Sequence, residues 1–206
     1  MKAGQTLLAE DGHEVLLFPL SSLYITQTSS PSSFSHCCGH PFDCVGTVLK
    51  QSYYAPCTCK LYYANDASVG NSRSWVSVDE VWTPYGLGFV SFQFTHDNSP
   101  LYSNIGAVVK QGRLIGHTGT AGFVTGDHVH IDQAVGKNVP MVSSGITCQG
   151  GNLCYMLDGS IDPTKIWYMN GTDIRYTDGL TFEEYKGGNP GIKTNKMKIM
   201  FYLKRR

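Results

Sequence analysis

From residue 1 to 20 apolar and polar positions alternate and end in Val15-Leu16-Leu17-Phe18-Pro19-Leu20. This predicts an opening strand with proline at its exit. Residues 26–35 are polar and predict a loop. The β-branched and aromatic run from Cys57 to Ala64 predicts a strand, followed by a loop over 65–74. Trp75 to Trp82 and Gly88 to Thr95 predict two strands around the turn Thr83-Pro84-Tyr85-Gly86, with His96 at the exit of the second. Ile105 to Gly116 predicts a hairpin-like unit, and the glycine-rich run Gly116–Gly122 predicts tight turns. These turns feed a strand through Asp127-His128-Val129-His130-Ile131-Asp132.

No stretch before residue 163 carries a 3.6-residue period, and Asp162-Pro163 opens a single helical turn at most. Residues 141–160 are expected to be a loop bearing glycine and cysteine, and 170–192 a polar, turn-rich stretch. The pattern predicts a mainly β domain, antiparallel, with long loops and few short helices. It is expected to span residues 1–165, with 166–206 as a C-terminal extension, polar and then basic from Lys193.

Composition agrees with strands and turns: the chain has 23 glycines and 12 tyrosines. Lysine plus arginine equals aspartate plus glutamate, 16 each, so no global field favours nucleic acid or an anionic surface. No segment reaches the roughly 18 apolar residues of a membrane span. Glu10, Asp11, His13 and Glu14 interrupt the region where a signal peptide needs its apolar run, so no Sec signal is expected. The seven cysteines match no structural zinc spacing, and free thiols in a reducing cytoplasm are the expectation. A Cys148–Cys154 bridge is the one disulfide left open.

The chemistry concentrates in His-x-His. Two histidines one residue apart on a strand face the same side, so one can bind a metal while the other stands beside its open position. His36-x-x-Gly39-x-x-x-Asp43 can bend to add an imidazole and a carboxylate. One imidazole from His128 or His130 then completes a His2Asp zinc set with a place for water. His40 competes with His36, because His40-x-x-Asp43 has a similar reach.

The order of these elements resembles the lysostaphin/LytM-type zinc endopeptidases. There, His…Asp is followed by Tyr-Ala-His-Leu and by Gly-x-x-Ile-Gly-x-x-Gly-x-Thr-Gly-x-x-Thr-Gly-Pro-His-Leu-His. The likeness covers roughly residues 34–132 and is densest from Lys110 to Ile131. It implies one zinc per chain on His36, Asp43 and His130, with His96 and His128 as catalytic histidines that do not bind the metal. It also implies a peptidoglycan stem or cross-bridge peptide as substrate. Two features depart from the pattern: the first pair is spaced His-x6-Asp, and Asp127 stands where proline is usual.

The wider spacing resembles a subset found in podovirus tail-tip cell-wall-degrading proteins, which favours His36 over His40. That likeness implies synthesis in a host cytoplasm, a place on the virion tail tip and other phage tail proteins as partners. The D-Ala-D-Ala carboxypeptidase group shares the first spacing but needs a later Glu-x-x-His, which this chain lacks. A non-catalytic peptidoglycan-binding or structural tail module on the same fold is the alternative reading.

Overall fold

A computed structural model describes residues 1–66 and 70–188. The basic segment from Lys193 lies outside the described residues. The chain is mainly β, as its pattern predicts. One eight-stranded sheet organises it, built from β1 (Ser22–Gln27), β2 (Phe42–Cys44), β4 (Cys59–Asn65), β5 (Ser72–Ser77), β8 (Val90–Thr95), β9 (Val108–Val109), β11 (Val129–Val135) and β14 (Asp173–Tyr176). Their order across the sheet is β14-β1-β2-β11-β8-β5-β4-β9, and every pairing is antiparallel except β1 with β14.

Directly opposed residues share a face, so register decides the sheet's two sides. Ile131 lies opposite both Phe42 and Phe94, Phe92 opposite Trp75, and Trp75 opposite Leu61. These residues are buried in the main core with Phe18 and Trp167. The other face carries His130 opposite both Asp43 and Thr95, then Asp132 opposite Gln93 and Gln93 opposite Ser74. One sheet therefore has an apolar side for stability and a polar side for the site.

Several local expectations are corrected by tertiary pairing. The opening segment forms no long strand. Val15 makes a single bridge to Trp82 and Leu17 one to Tyr168, while the first true strand begins at Ser22. The predicted strand over 75–82 is two pieces, β5 and β6 (Val81–Thr83), and β6 pairs with β7 (Gly86–Gly88). The acidic Asp79-Glu80 pair sits exposed between them. Residues 105–116 are not a hairpin: β9 pairs with β4, whereas β10 (Leu114–His117) pairs with β3 (Ser52–Tyr54).

Residues 141–160, expected as loop, contain an antiparallel hairpin of β12 (Met141–Thr147) and β13 (Leu153–Leu157). The expected thiols are also corrected. Cys37 is bonded to Cys148 and Cys38 to Cys154, so no bridge joins Cys148 to Cys154. Cys44, Cys57 and Cys59 are free and buried. The helical turn does form, as a 3-10 turn over Pro163–Lys165 capped by the Asp162 carboxylate.

Ile166, Trp167 and Met169, just past the expected boundary at 165, lie inside the main core. The Trp167 indole meets Phe18 and Phe92 edge-on, and its N–H donates to Gln133 Oε1 at 3.1 Å. Among the described residues no helix is long and apolar enough to cross a membrane.

Candidate metal centre

Asp43 on β2 and His130 on β11 are cross-strand partners, so both side chains leave the polar face at one point. His36 reaches the same point from residues 28–41, which carry no strand. Its own N–H donates to Ser33 Oγ at 2.9 Å, and its carbonyl accepts from the Ser30 N–H at 3.1 Å. His130 Nδ1 lies 3.0 Å from His36 Nε2 and 3.2 Å from Asp43 Oδ1, and His36 Nε2 lies 3.3 Å from that oxygen.

This triangle is itself a test of fit. Ligands held about 2.0–2.1 Å from a tetrahedral zinc are separated by about 3.3 Å, close to all three observed edges. Two imidazole nitrogens 3.0 Å apart beside one carboxylate oxygen form a converging donor set of the hard and borderline type that zinc takes. The residues present fit the metal.

Electrostatics follow from this crowding. Burial alone would raise the Asp43 carboxyl, but hydrogen bonds from His130 and His36 hold it far below the usual carboxylate range. Burial pushes His36 below the ordinary imidazole range, against the pull of Asp43. Burial also opposes the charge on His130, yet its hydrogen bond to Asp43 raises it.

His96 and His128 flank the triangle, with ring centres 4.6 Å apart. His96 Nδ1 lies 2.8 Å from the Ala121 carbonyl and His128 Nδ1 lies 2.8 Å from the Gly126 carbonyl. A carbonyl only accepts, so both Nδ1 atoms carry the proton and each neutral ring keeps its Nε2 lone pair. His128 Nε2 is 3.6 Å from Asp43 Oδ1. Burial, then the nearby His130, lowers His96 to about 4.

The glycine-rich run positions both rings. Gly119 exchanges two backbone hydrogen bonds with His128, and the Ala121 N–H donates to the His96 carbonyl at 3.0 Å. His96 has a φ of 85°, and its N–H donates to the Gly70 carbonyl at 2.6 Å. A Cβ on Gly70 would stand 2.6 Å from His96 Nδ1 and 2.4 Å from the Ala121 oxygen, so glycine is required there. Asp127 accepts from the Lys50 N–H at 3.2 Å and from the Thr118 hydroxyl, tying the turns to the neighbouring loop.

The structure thus brings His36, Asp43, His130, His96 and His128 together. It leaves His40 exposed, with its backbone N–H on Ser160 Oγ at 3.0 Å. Gly70 and Asp132 escaped sequence reasoning. Asp132 is fully buried two residues past His130 and accepts from the Leu157 N–H and the Ser160 hydroxyl, both at 2.6 Å. Strand alternation would have placed it on the His130 face; nothing local marks Gly70.

No family model matches the chain. Over 127 residues it is 36% identical to Morphogenesis protein 1 of Bacillus phage B103, covering 61% of this chain and 34% of that protein. The chain therefore spans about a third of that relative's length. Among solved structures it is similar to the catalytic domain of lysostaphin from Staphylococcus simulans (TM-score 0.45, 17% identity, 69% of this chain and 90% of that one). It is also similar to a zinc-containing peptidase from Vibrio cholerae (TM-score 0.41, 20% identity, 63% and 43%).

Proposed function

We propose that this domain is a zinc-dependent endopeptidase of the lysostaphin/LytM type that hydrolyses peptide bonds in the stem or cross-bridge of bacterial peptidoglycan. The observation that carries this reading is the His36–Asp43–His130 triangle with two further imidazoles beside it, His128 Nε2 lying 3.6 Å from Asp43 Oδ1 and the His96 ring centre 6.0 Å from that of His130. His36 Nε2, Asp43 Oδ1 and His130 Nδ1 would hold one zinc. Bound there, the metal supplies Lewis acidity toward the scissile carbonyl and water.

The protein's own groups do the rest. His96 and His128 are not needed to complete the ligand set. Their Nδ1 protons are committed to backbone carbonyls, so each acts through Nε2. As a neutral ring, Nε2 accepts a proton from the attacking water; protonated, it donates to the developing oxyanion or the leaving amine. The lowered His96 suits the acceptor at neutral pH, since its lone pair is then present.

The ordered motif and the phage morphogenesis relative support a place on a virion tail, where the chain would meet host peptidoglycan beside other tail proteins. Digestion of purified peptidoglycan with the protein, with and without a chelator, tests the activity. Mass spectrometry should find new peptide termini in the absence of chelator only; intact glycopeptides in both samples would refute the reading. Immunogold labelling of purified particles tests the location, and particles lacking the label would refute it.

A further inference from the structure

We propose that the two disulfides form a clasp that positions His36 in the metal set, so that zinc affinity follows the oxidation of Cys37 and Cys38. This rests on the reading of His36, Asp43 and His130 as a metal site.

The three candidate ligands are not equally supported. Asp43 and His130 sit in hydrogen-bonded strands at the centre of the sheet. His36 alone is carried by an irregular segment, between the end of β1 at Gln27 and the start of β2 at Phe42. The two residues that follow it are both cross-linked, Cys37 to Cys148 and Cys38 to Cys154. The Cys37 N–H also donates to Cys148 Sγ at 3.1 Å. Both bridges end on the β12–β13 hairpin, one in its turn and one on its second strand.

That hairpin is itself anchored behind the site. Asp132 receives the Leu157 N–H and the Ser160 hydroxyl, and Ser160 in turn receives the His40 N–H. A continuous path therefore runs from His36 through the bridges and the hairpin to Asp132, two residues beyond His130. Apart from the bridged Cys148 and Cys154, burial in the hairpin is confined to its base: β12 has no buried residue, and Leu157 is the other buried residue of β13. Contacts at two points join it to the His36 segment: a Cβ on Gly39 would meet the Met156 side chain at 2.7 Å, and at Gly150 the N–H donates to the Phe34 carbonyl at 2.9 Å while a Cβ would meet the Phe34 ring at 2.7 Å. These are too few to hold an exposed hairpin against the entropy of two loops once the bridges open.

The chemistry is confined to these four sulfurs. Cys37 and Cys38 are partly exposed while their partners Cys148 and Cys154 are buried, so a small thiol meets each bridge from the Cys37–Cys38 side; Cys44, Cys57 and Cys59 are buried and unbridged. Burial raises the Cys44 thiol to about 12 and the other two well above their ordinary range, which keeps them inert. Closing each bridge takes two electrons and two protons from a thiol pair. A small-molecule disulfide such as oxidised glutathione accepts them and becomes two thiols. A chain made in a reducing compartment carries four thiols here and gains its full zinc affinity on reaching an oxidising one.

The test compares oxidised and reduced full chains, reading zinc affinity by competition with a chromophoric chelator and amide exchange by mass spectrometry. Reduction should weaken zinc binding about 10- to 100-fold, the range for losing a group that orients a ligand. It should speed exchange at residues 36–41 and 141–157 while β8 and β11 stay protected. The Cys148→Ser/Cys154→Ser variant, altered far in sequence from His36, should match the reduced protein and ignore reductant. Equal zinc affinity in both redox states, or a variant that binds zinc like oxidised wild type, overturns the clasp alone. A chain that takes up no zinc in either state refutes the metal site, and the clasp's role falls with it.

Discussion

His130 Nδ1 lies 3.2 Å from Asp43 Oδ1 because the two residues are directly opposed across β11 and β2. The sheet's hydrogen-bond register therefore holds two of the three donors at the point that the His36 loop completes. If this is a zinc site, Asp43→Ala and His130→Ala should each lose most of about one zinc per chain by elemental analysis. His36→Ala should do the same, and His40→Ala should retain it. Full zinc in the Asp43 and His130 variants would sink the assignment.

Catalysis should separate from metal binding. His96→Ala and His128→Ala should keep zinc and fold, while turnover falls by roughly two to four orders of magnitude, about 3–5 kcal/mol of lost transition-state stabilisation. The double variant should lose less than the sum if the rings act as one unit. Zinc-loaded single variants with undiminished turnover would contradict the proton roles assigned to them.

The buried His96 makes stability acid-sensitive. An unfolded imidazole takes up its proton near 6.5, whereas His96 resists protonation down to about 4. Protons bind the unfolded chain more readily in that window, so stability falls as the pH drops through it. Asp43, held low, contributes stability above the ordinary carboxylate range that is lost further down. His130, raised, contributes in the opposite sense, with stability that fades as pH rises through its folded value. Urea midpoints in chelator should decline from about pH 6.5 to 4. The decline should be shallower in His96→Asn, a residue that tolerates positive φ.

Gly70 should be intolerant of any side chain. A Cβ there meets His96 Nδ1 and the Ala121 carbonyl, the pair that sets the His96 tautomer. Gly70→Ala should therefore reduce turnover at least tenfold with zinc content preserved. Unchanged kinetics would show that the His96 orientation does not depend on this contact.

Trp167 tests how far stability depends on the core residues past 165. It is fully buried between Phe18 and Phe92. Trp167→Ala should cost about 3–5 kcal/mol in urea unfolding. A loss below about 1 kcal/mol would mean that this segment is dispensable for folding.

What the sequence determined by itself was local. Period-two alternation placed His128 and His130 on one side, and Asp162-Pro163 marked the 3-10 turn. These signals follow from backbone geometry within a few residues, so they survive any tertiary arrangement. The glycine-rich run expected as tight turns is instead extended, with Gly116 and His117 in β10 and Gly119 bridged to His128. The tertiary structure decided the rest. Cys37 pairs with Cys148 and Cys38 with Cys154 across 111 and 116 residues. Strands β9 and β10 take separate partners, and Trp167 enters the core. His36 rather than His40 turns toward Asp43, because the loop between them is held at one end by β2 and at the other by Ser33 and the disulfides. Pairings at that distance depend on the register of whole strands, and no short window of residues contains it.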